Sequence, residues 1–156
     1  MDGFSLTTSI SESPETVFAF LADVANMTQW YEAVEQVALL PPNTRVGKGS
    51  RFQLIRSLPG GRAVNVVEVT EYEPDRRLTL ESRGGPTPFR YAYTLDAVED
   101  GTALTLDGRI SADGLPSPVE HLGPLATRLF ARGMQRNLRT LKHLLEVEGS
   151  RHSSSF

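Results

Sequence analysis

The stretch AVNVVEVTEYEPDRRLTLES, residues 63–82, contains two strand-like runs separated by a short turn. Apolar and polar residues alternate on both sides of Pro74-Asp75, and this period-two alternation is typical of a strand with one buried face. A turn this short joins antiparallel neighbours. The stretch therefore predicts a β-hairpin with one face in the core and the other in water.

Similar runs on both sides of this hairpin extend it to an antiparallel meander. Short turn signals separate the runs, and successive short turns place consecutive strands side by side. A further half-buried strand is predicted near the N-terminus, in FSLTTSIS. Six strand-like runs then follow in chain order: VEQVALL, SRFQLIR, AVNVVEVTEYE, RRLTLES, PFRYAYTLDAV and TALTLDGRIS.

Three helices complete the prediction. Two short ones lie between the first and second strands, and the second of them runs toward Trp30, the only tryptophan in the chain. A long helix is predicted over 117–148, because apolar residues there recur at helical spacing. Ser117 and Glu120 form a capping box at its start, and Pro124 is expected to kink or restart it. This order of elements predicts a single α+β domain.

Composition and charge exclude several classes of protein. The chain has 156 residues, no cysteine and a net charge of −3 with mixed signs, which argues against thiolate chemistry, cysteine-based metal sites and nucleic acid as the main partner. The N-terminus lacks the features of a signal peptide, and no stretch is apolar enough for integral membrane association. We expect a cytoplasmic protein, monomer or homodimer, with one domain over 1–149 and a flexible tail over 150–156.

The hairpin turns predict which residues face each other across the sheet. We assume two-residue loops at Gly60-Gly61, Pro74-Asp75 and Asp100-Gly101, and a four-residue loop over 84–87, since such loops fix the register. The pairs that result include Arg56 with Asn65, Val69 with Leu80, Leu80 with Tyr91, Ser82 with Phe89, Tyr91 with Ile110, and Tyr93 with Gly108.

One face of the predicted sheet is almost entirely apolar. The same face carries the polar residues Arg56, Asn65 and Ser82 and two tyrosine hydroxyls. A sheet packed flush against the long helix would have to give each of these groups a partner. We therefore predict an elongated, mostly apolar cavity between sheet and helix. The apolar members of the face are Phe52, Leu54, Val67, Val69, Leu78, Leu80, Phe89, Tyr91, Tyr93, Leu95, Leu104, Leu106 and Ile110.

The runs VTEYEPDRRLTLES (69–82) and ANMTQWYEAV (25–34), in this order of elements, resemble the START-related SRPBCC superfamily, and more narrowly its polyketide cyclase/dehydrase-like branch. The resemblance covers about residues 4–148. It implies a helix-grip fold, in which a curved seven-stranded antiparallel sheet wraps around the C-terminal helix and encloses a hydrophobic cavity. Members of this superfamily bind lipids, isoprenoids, hormones or polyketides, and some are enzymes.

Two functions remain open from the sequence. One is the binding of a hydrophobic small molecule, a lipid, isoprenoid or polyketide-like compound, without turnover. The other is a cyclase, aromatase or dehydratase reaction, which needs an acid or base and an enolate stabiliser beside a substrate carbonyl. The candidates for these roles are Arg56, Tyr91, Tyr93 and His121, and Glu71 is the one carboxylate that could face inward. We expect no metal and no cofactor, because the histidines lack partners at ligand spacing.

Several of the candidate site residues have two interpretations. Trp30 either closes the base of the core, which we favour, or lines the cavity beside Tyr31. Arg56 either reaches solvent, which we favour slightly, or binds an oxygen-rich end of the ligand. Gly133 is either tolerated or lets the helix approach the sheet. The full ligand-binding set is Trp30, Tyr31, Leu54, Arg56, Asn65, Val67, Leu80, Ser82, Phe89, Tyr91, Tyr93, Leu106, His121, Leu125, Leu129 and Met134.

Overall fold

The computed structural model describes residues 2–42, 44–58, 60–82, 85–111 and 124–154. The strands in these ranges are β1 (Asp2–Ile10), β2 (Val34–Leu40), β3 (Arg51–Leu58), β4 (Gly61–Glu73), β5 (Arg77–Ser82), β6 (Phe89–Val98) and β7 (Gly101–Ile110). The helices are α1 (Pro14–Ala22), α2 (Met27–Trp30) and α3 (Pro124–Ser154), with a 3-10 turn at Val24–Asn26 between α1 and α2. The predicted order of elements is confirmed.

The strands form one antiparallel sheet in the order β1-β7-β6-β5-β4-β3-β2. Consecutive strands from β2 to β7 are neighbours, and β1 joins the far edge beside β7. The curved sheet wraps around α3, which packs against β1 and β7, while α1 and α2 contact β6 and β2. This architecture is the α+β helix-grip fold that the sequence resemblance implies.

Helix α1 begins where local sequence chemistry places its start. The Oγ of Ser13 accepts a hydrogen bond from the amide of Thr16 at 3.2 Å, and Pro14 occupies the first helical position. The side of α1 that faces the sheet buries Val17 and Phe18 in the core. The segment between β1 and β2 is therefore fixed by a cap at its start and by apolar packing along its length.

One of the predicted hairpin registers is confirmed throughout, and a second is confirmed along part of its length. Val69 lies opposite Leu80 in the β4–β5 pair. Leu80 lies opposite Tyr91, and Ser82 opposite Phe89, in the β5–β6 pair. These are the pairings that the loops at Pro74-Asp75 and over 84–87 predict. The assumed two-residue loop at Pro74-Asp75 is nevertheless wrong, because Glu73 pairs with Arg77 and the turn consists of the three residues 74–76.

The predicted β3–β4 register is wrong by two residues. Arg56 lies opposite Ala63 instead of Asn65, and Leu58 pairs with Gly61. Gly61 has a φ of +133°, which favours glycine, and it is the first residue of β4 instead of the second residue of the loop. Because the shift is by an even number, every side chain keeps its predicted face.

The β6–β7 register is wrong by two residues for a similar reason. Gly101 begins β7 with a φ of +152°, and a Cβ at this position would lie 2.0 Å from the carbonyl oxygen of Ile10. Glycine is therefore required in the strand, and the turn consists of residues 99–100. As a result Tyr91, and not Tyr93, lies opposite Gly108.

The predicted inward face is the buried face of the sheet. All of its apolar members are buried, and so are Arg56, Asn65 and Ser82. On the opposite face Val64 and Val66 are about half exposed, as their outward position predicts. The period-two pattern therefore identified the core side of the sheet correctly.

The prediction that Glu71 could face inward is wrong. A bulge between Val69 and Glu71 shifts the β4–β5 register by one residue, so that Glu71 lies opposite Thr79. Its carboxylate accepts a hydrogen bond from Thr79 Oγ1 at 2.9 Å and forms an ion pair with Arg77. Glu71 is thus on the outer face with these two partners.

Helix α3 is described from Pro124 onward, and the predicted capping box at Ser117 and Glu120 lies outside the described residues. The helix buries its apolar stripe from Ala126 to Leu145 against the sheet. It continues to Ser154, whereas the sequence predicted a separate tail from residue 150. Residues 150–154 are thus helical, and the predicted flexibility of this segment stays a prediction.

Candidate functional site

A pocket lies between the sheet and the N-terminal half of α3. Its volume is about 110 Å³, and its wall is mostly apolar. A cavity of about 150 Å³ holds one benzene molecule, so the enclosed space is close to that of one small ring. The pocket is therefore shorter than the elongated cavity that the sequence predicted. It is lined by Tyr31, Ala33, Val34, Leu54, Arg56, Leu58, Phe89, Tyr91, Leu129, Phe130, Gly133, Met134 and Asn137.

The structure brings together about half of the described residues in the predicted ligand-binding set. Tyr31, Leu54, Arg56, Phe89, Tyr91, Leu129 and Met134 line the pocket. The remaining inner face of the sheet is filled by α1, α2 and the rest of α3, so the other inward residues lie in the core next to the pocket. They are Trp30, Asn65, Val67, Leu80, Ser82, Tyr93 and Leu106. Leu125 is exposed on α3 and does not line the pocket, and His121 lies outside the described residues.

Arg56 is the one cationic residue among the described residues that line the pocket. It is only 6% exposed, so the favoured expectation that it reaches solvent is wrong. Its Nη2 donates to Asn65 Oδ1 at 2.8 Å and to the carbonyl oxygen of Pro86 at 3.0 Å, and it also bonds the hydroxyl of Thr87. Asn65 Nδ2 in turn donates to Ser82 Oγ at 3.1 Å. The polar residues of the inward face thus form one network around the guanidinium.

This network contains no carboxylate. In the described part of the chain Arg56 has no ion-pair partner, and no hydrogen bond involves its Nη1. The guanidinium carbon lies 5.3 Å from the centroid of the Phe89 ring, within range of a cation–π contact. Burial lowers the pKa of Arg56 from its ordinary value. Among the described residues, therefore, only neutral groups stabilise this cation in the pocket wall.

The hydroxyls of Tyr31 and Tyr91 lie within range of the charge of Arg56, and the Tyr93 hydroxyl is linked to them through Tyr31. Tyr31 and Tyr93 are hydrogen-bonded to each other through their hydroxyl groups. Burial raises the pKa of Tyr91 to about 12, an effect that the charge of Arg56 partly offsets, and burial raises the pKa of Tyr31 and Tyr93 as well. All three phenols are therefore protonated near neutral pH and can donate hydrogen bonds, but they are poor bases.

Trp30 packs behind the pocket and does not line it. Its ring is 3% exposed and lies edge-to-face against Tyr31, with the centroids 4.3 Å apart. Its Nε1 is buried without a hydrogen-bond partner. This position agrees with the favoured interpretation, in which Trp30 closes the core and supports its neighbour Tyr31.

The sequence prediction missed several pocket residues on α3. Phe130, Gly133 and Asn137 line the pocket together with the predicted Met134. These positions recur at intervals of three and four, so they share one face of the helix. Asn137 also anchors the helix, because its Oδ1 accepts a hydrogen bond from the amide of Glu32 at 3.0 Å. The helical spacing was therefore a usable signal, but a polar side chain and a glycine interrupt the apolar pattern.

The described residues contain no cluster of His, Asp or Glu that could hold a metal ion. Neither a histidine nor a carboxylate is among the described residues that line the pocket. Within the same ranges, none of the helices is long and apolar enough to cross a bilayer. The chemistry available in the described pocket is thus a cation, phenolic donors and an apolar wall.

Sequence comparison matches residues 1–146 to the family described as "Polyketide cyclase / dehydrase and lipid transport". The match covers nearly the whole chain of 156 residues. In a separate comparison, no curated protein sequence matches this chain.

Solved structures with the same fold share little sequence with this chain. A START superfamily protein from Mycobacterium smegmatis has a TM-score of 0.75 and 19% identity, covering 92% of this chain and 97% of that one. A protein from Thermus thermophilus has a TM-score of 0.76 and 17% identity, with coverages of 92% and 97%. The Zhui aromatase/cyclase from a Streptomyces species has a TM-score of 0.74 and 13% identity, with 93% of each chain covered. At such identities the likeness establishes the fold alone.

Proposed function

Because this chain belongs to the polyketide cyclase/dehydrase and lipid transport family, we propose that it binds a hydrophobic small molecule in the pocket between the sheet and α3. The ligand class is a lipid, isoprenoid or polyketide-like compound with one anionic or oxygen-rich end. That end lies against Arg56, and the hydrocarbon part lies against the apolar wall formed by Leu54, Phe89 and Met134.

The observation that carries this proposal is the buried guanidinium, to which no described residue offers a carboxylate. Burial of a cation costs several kcal/mol unless it is paired. Part of the hydrogen-bonding capacity of the Arg56 guanidinium is used by neutral groups of Asn65, Pro86 and Thr87. Its Nη1 has no bond to a described residue. A ligand oxygen can therefore gain a charge-assisted hydrogen bond in a weakly solvated site. Such a contact is stronger for a carboxylate or enolate than for a neutral oxygen.

The pocket volume limits how the ligand is bound. About 110 Å³ accommodates a group of roughly one ring. Leu129 lines the pocket and is also 53% exposed, so it marks an edge of the pocket that is open to solvent. A ligand larger than one ring would therefore place its polar head at Arg56 and extend its tail past Leu129, or displace side chains of α3.

The second candidate function is catalysis of a cyclisation, aromatisation or dehydration. Arg56 and the protonated phenols Tyr31 and Tyr91 favour it, because they could stabilise a developing enolate. Removal of a proton also requires a base, and the described residues of the pocket provide neither a histidine nor a carboxylate. Under this second candidate function, His121 is the residue proposed as the base. Binding is therefore the function that the site geometry supports better.

A matched pair of probes tests the binding proposal. We expect the protein to bind an aromatic carboxylate, such as 2-naphthoate, more tightly than its neutral methyl ester, measured by calorimetry or by the fluorescence of Trp30. Arg56→Met should weaken carboxylate binding far more than ester binding, and Arg56→Lys should have an intermediate effect, because lysine keeps the charge but cannot donate in parallel.

Arg90→Met provides the control, because Arg90 is exposed on the outer face of the sheet. It should leave both affinities unchanged. Equal losses for the two probes in a folded Arg56→Met protein would contradict the assigned role of Arg56. Native mass spectrometry of the purified protein, with a search for a co-purifying small molecule, tests the ligand class directly and reports whether the protein is a monomer or a homodimer.

A further inference from the structure

Two leucines lie on the solvent side of α3. Leu125 and Leu129 are 51% and 53% exposed, while the opposite side of the helix packs on the sheet. They are four residues apart, so their side chains are neighbours on one face. Exposed leucines are common singly, but two adjacent ones at the edge of a ligand pocket form a small apolar surface.

Arginines surround these leucines on the same face. Arg128, Arg132, Arg136 and Arg139 are all exposed, and they recur at the spacing of the helix. No acidic residue occurs in α3 before Glu146. The whole chain has a net charge of −3, so this face is locally positive on an otherwise slightly acidic protein.

Most of this positive charge is not neutralised by the neighbouring elements that the structure describes. Arg136 forms an ion pair with Glu32 at 3.4 Å. Arg128, Arg132 and Arg139 form no ion pair with any residue that the structure describes. The exposed leucines can therefore contact a partner together with three guanidinium groups that form no ion pair within the described ranges. We name the surface formed by Leu125, Arg128, Leu129, Arg132 and Arg139 the basic face of α3.

We propose that the basic face of α3 docks on the surface of an anionic membrane. Arginine side chains pair with lipid phosphates, and short apolar side chains between them enter the boundary between headgroups and acyl chains. The long stems of arginine can lie along that apolar surface while their charged ends stay in the headgroup layer. The contact is peripheral, since α3 is a helix of the folded domain and not a spanning segment.

The position of the pocket favours a membrane over an acidic protein as the partner, and this step rests on the proposed function. A hydrophobic ligand is scarce in water and concentrated in bilayers. Leu129 belongs both to the pocket wall and to the basic face, and Phe130 and Gly133 follow it in the wall. Docking through this face would bring the open edge of the pocket to the lipid surface, where the ligand is available.

Vesicle sedimentation tests the proposal. The full chain is mixed with vesicles of phosphatidylcholine alone, or with vesicles in which about a third of the lipid is phosphatidylglycerol. We expect sedimentation with the anionic vesicles only, decreasing as salt is added. The double substitution Arg128→Gln/Arg132→Gln should weaken partitioning about 30-fold, because each arginine near an anionic surface contributes about fivefold. Leu125→Ser should weaken it several-fold without changing the salt dependence.

The matched control is Arg90→Gln/Arg109→Gln, which removes two exposed arginines that face each other on the outer side of β6 and β7. The control should bind vesicles like the wild type. Absence of wild-type binding to anionic vesicles, or equal losses in the control and in Arg128→Gln/Arg132→Gln, would overturn the membrane proposal, and the first result would leave an acidic protein as the partner.

The binding of 2-naphthoate in vesicle-free buffer separates this proposal from the proposed function. Arg128, Arg132 and Leu125 do not line the pocket, so their variants should bind the probe like the wild type. Loss of vesicle binding with unchanged probe binding supports the docking surface. A wild-type protein that binds anionic vesicles but no probe would count against the pocket proposal and leave the docking surface standing.

Discussion

The hydroxyl group of Tyr31 is hydrogen-bonded to that of Tyr93, which joins the end of α2 to the middle of β6. Both rings also pack edge-to-face against Trp30, with centroid distances of 4.3 and 6.2 Å. The chain just before β2 is thus attached to the inner face of the sheet by three aromatic side chains. Tyr31 contributes to this attachment and to the pocket wall at the same time.

Removal of one hydroxyl should therefore lower the free energy of unfolding, because it leaves the other buried hydroxyl unpaired. Removal of both leaves no unpaired hydroxyl, so the double variant should lose less than the sum of the two single losses. Tyr31→Phe leaves the buried Tyr93 hydroxyl without its partner, which should lower the free energy of unfolding by about 1–3 kcal/mol. Tyr93→Phe should cost a similar amount, because it leaves the buried Tyr31 hydroxyl without its partner. Urea unfolding of both single variants and of Tyr31→Phe/Tyr93→Phe measures the coupling. Strictly additive losses in the double variant would contradict a direct bond between the two hydroxyls.

The protein should lose stability in alkaline solution because its tyrosines are buried. The folded state raises the pKa of Tyr91 to about 12 and raises that of Tyr31 and Tyr93 too, so it retains protons that the unfolded chain releases near pH 10. This stabilisation is fully present below about pH 10 and is lost as the pH rises toward 12. The lowered pKa of Arg56 has the opposite effect on the pH dependence of stability, but it is one group and the tyrosines are three.

Tyr91→Phe isolates one part of this effect. Between about pH 8 and pH 11, the wild type should lose about 1 kcal/mol more of its unfolding free energy than the variant loses, because the variant lacks the Tyr91 proton. Chemical denaturation at the two pH values provides the measurement, and ultraviolet absorbance follows tyrosinate formation. Identical losses in both proteins would mean that Tyr91 titrates normally in the folded state.

Gly108 should be intolerant of a methyl group because of Phe4. A Cβ at position 108 would lie 2.4 Å from Cζ of the Phe4 ring, which packs over the glycine from the edge strand β1. We expect Gly108→Ala to lower stability by about 1–3 kcal/mol through overpacking. In the background of Phe4→Ala the same substitution should cost much less. Gly47→Ala is the control, because a Cβ there meets nothing within 4 Å, and it should be neutral in thermal unfolding.

Gly133→Ala should stabilise the helix and weaken ligand binding. The suggestion that Gly133 permits close approach to the sheet is wrong, because a Cβ there would meet only Arg136 Nη2, at 4.0 Å. Alanine is favoured over glycine in a helix by up to about 1 kcal/mol, so the melting temperature should rise. Since Gly133 lines the pocket, the added methyl group would also occupy part of its small volume. A lower melting temperature would show that a contact at this position is tighter than the structure describes.

Local patterns in the sequence were sufficient for the element order and for the two faces of the sheet. Phe52, Leu54 and Val67 were assigned to the buried face from alternation alone, and all three are buried. This assignment succeeded even where the register was wrong by two, because residues two apart along a strand point to the same side. The cap at Ser13 was predictable for a similar reason, since a cap depends only on residues within one turn.

The tertiary structure alone decided which inward residues line the pocket and how they are bonded. Alternation gives the direction of a side chain but not its distance from elements far away in the sequence. Tyr31 meets Tyr93 only because α2 closes one end of the sheet, and Glu71 turns outward only because a bulge changes the register by one residue. Arg56 was placed on the inward face from the sequence, but that its described neighbours include no carboxylate became visible only when the strands and loops were placed around it.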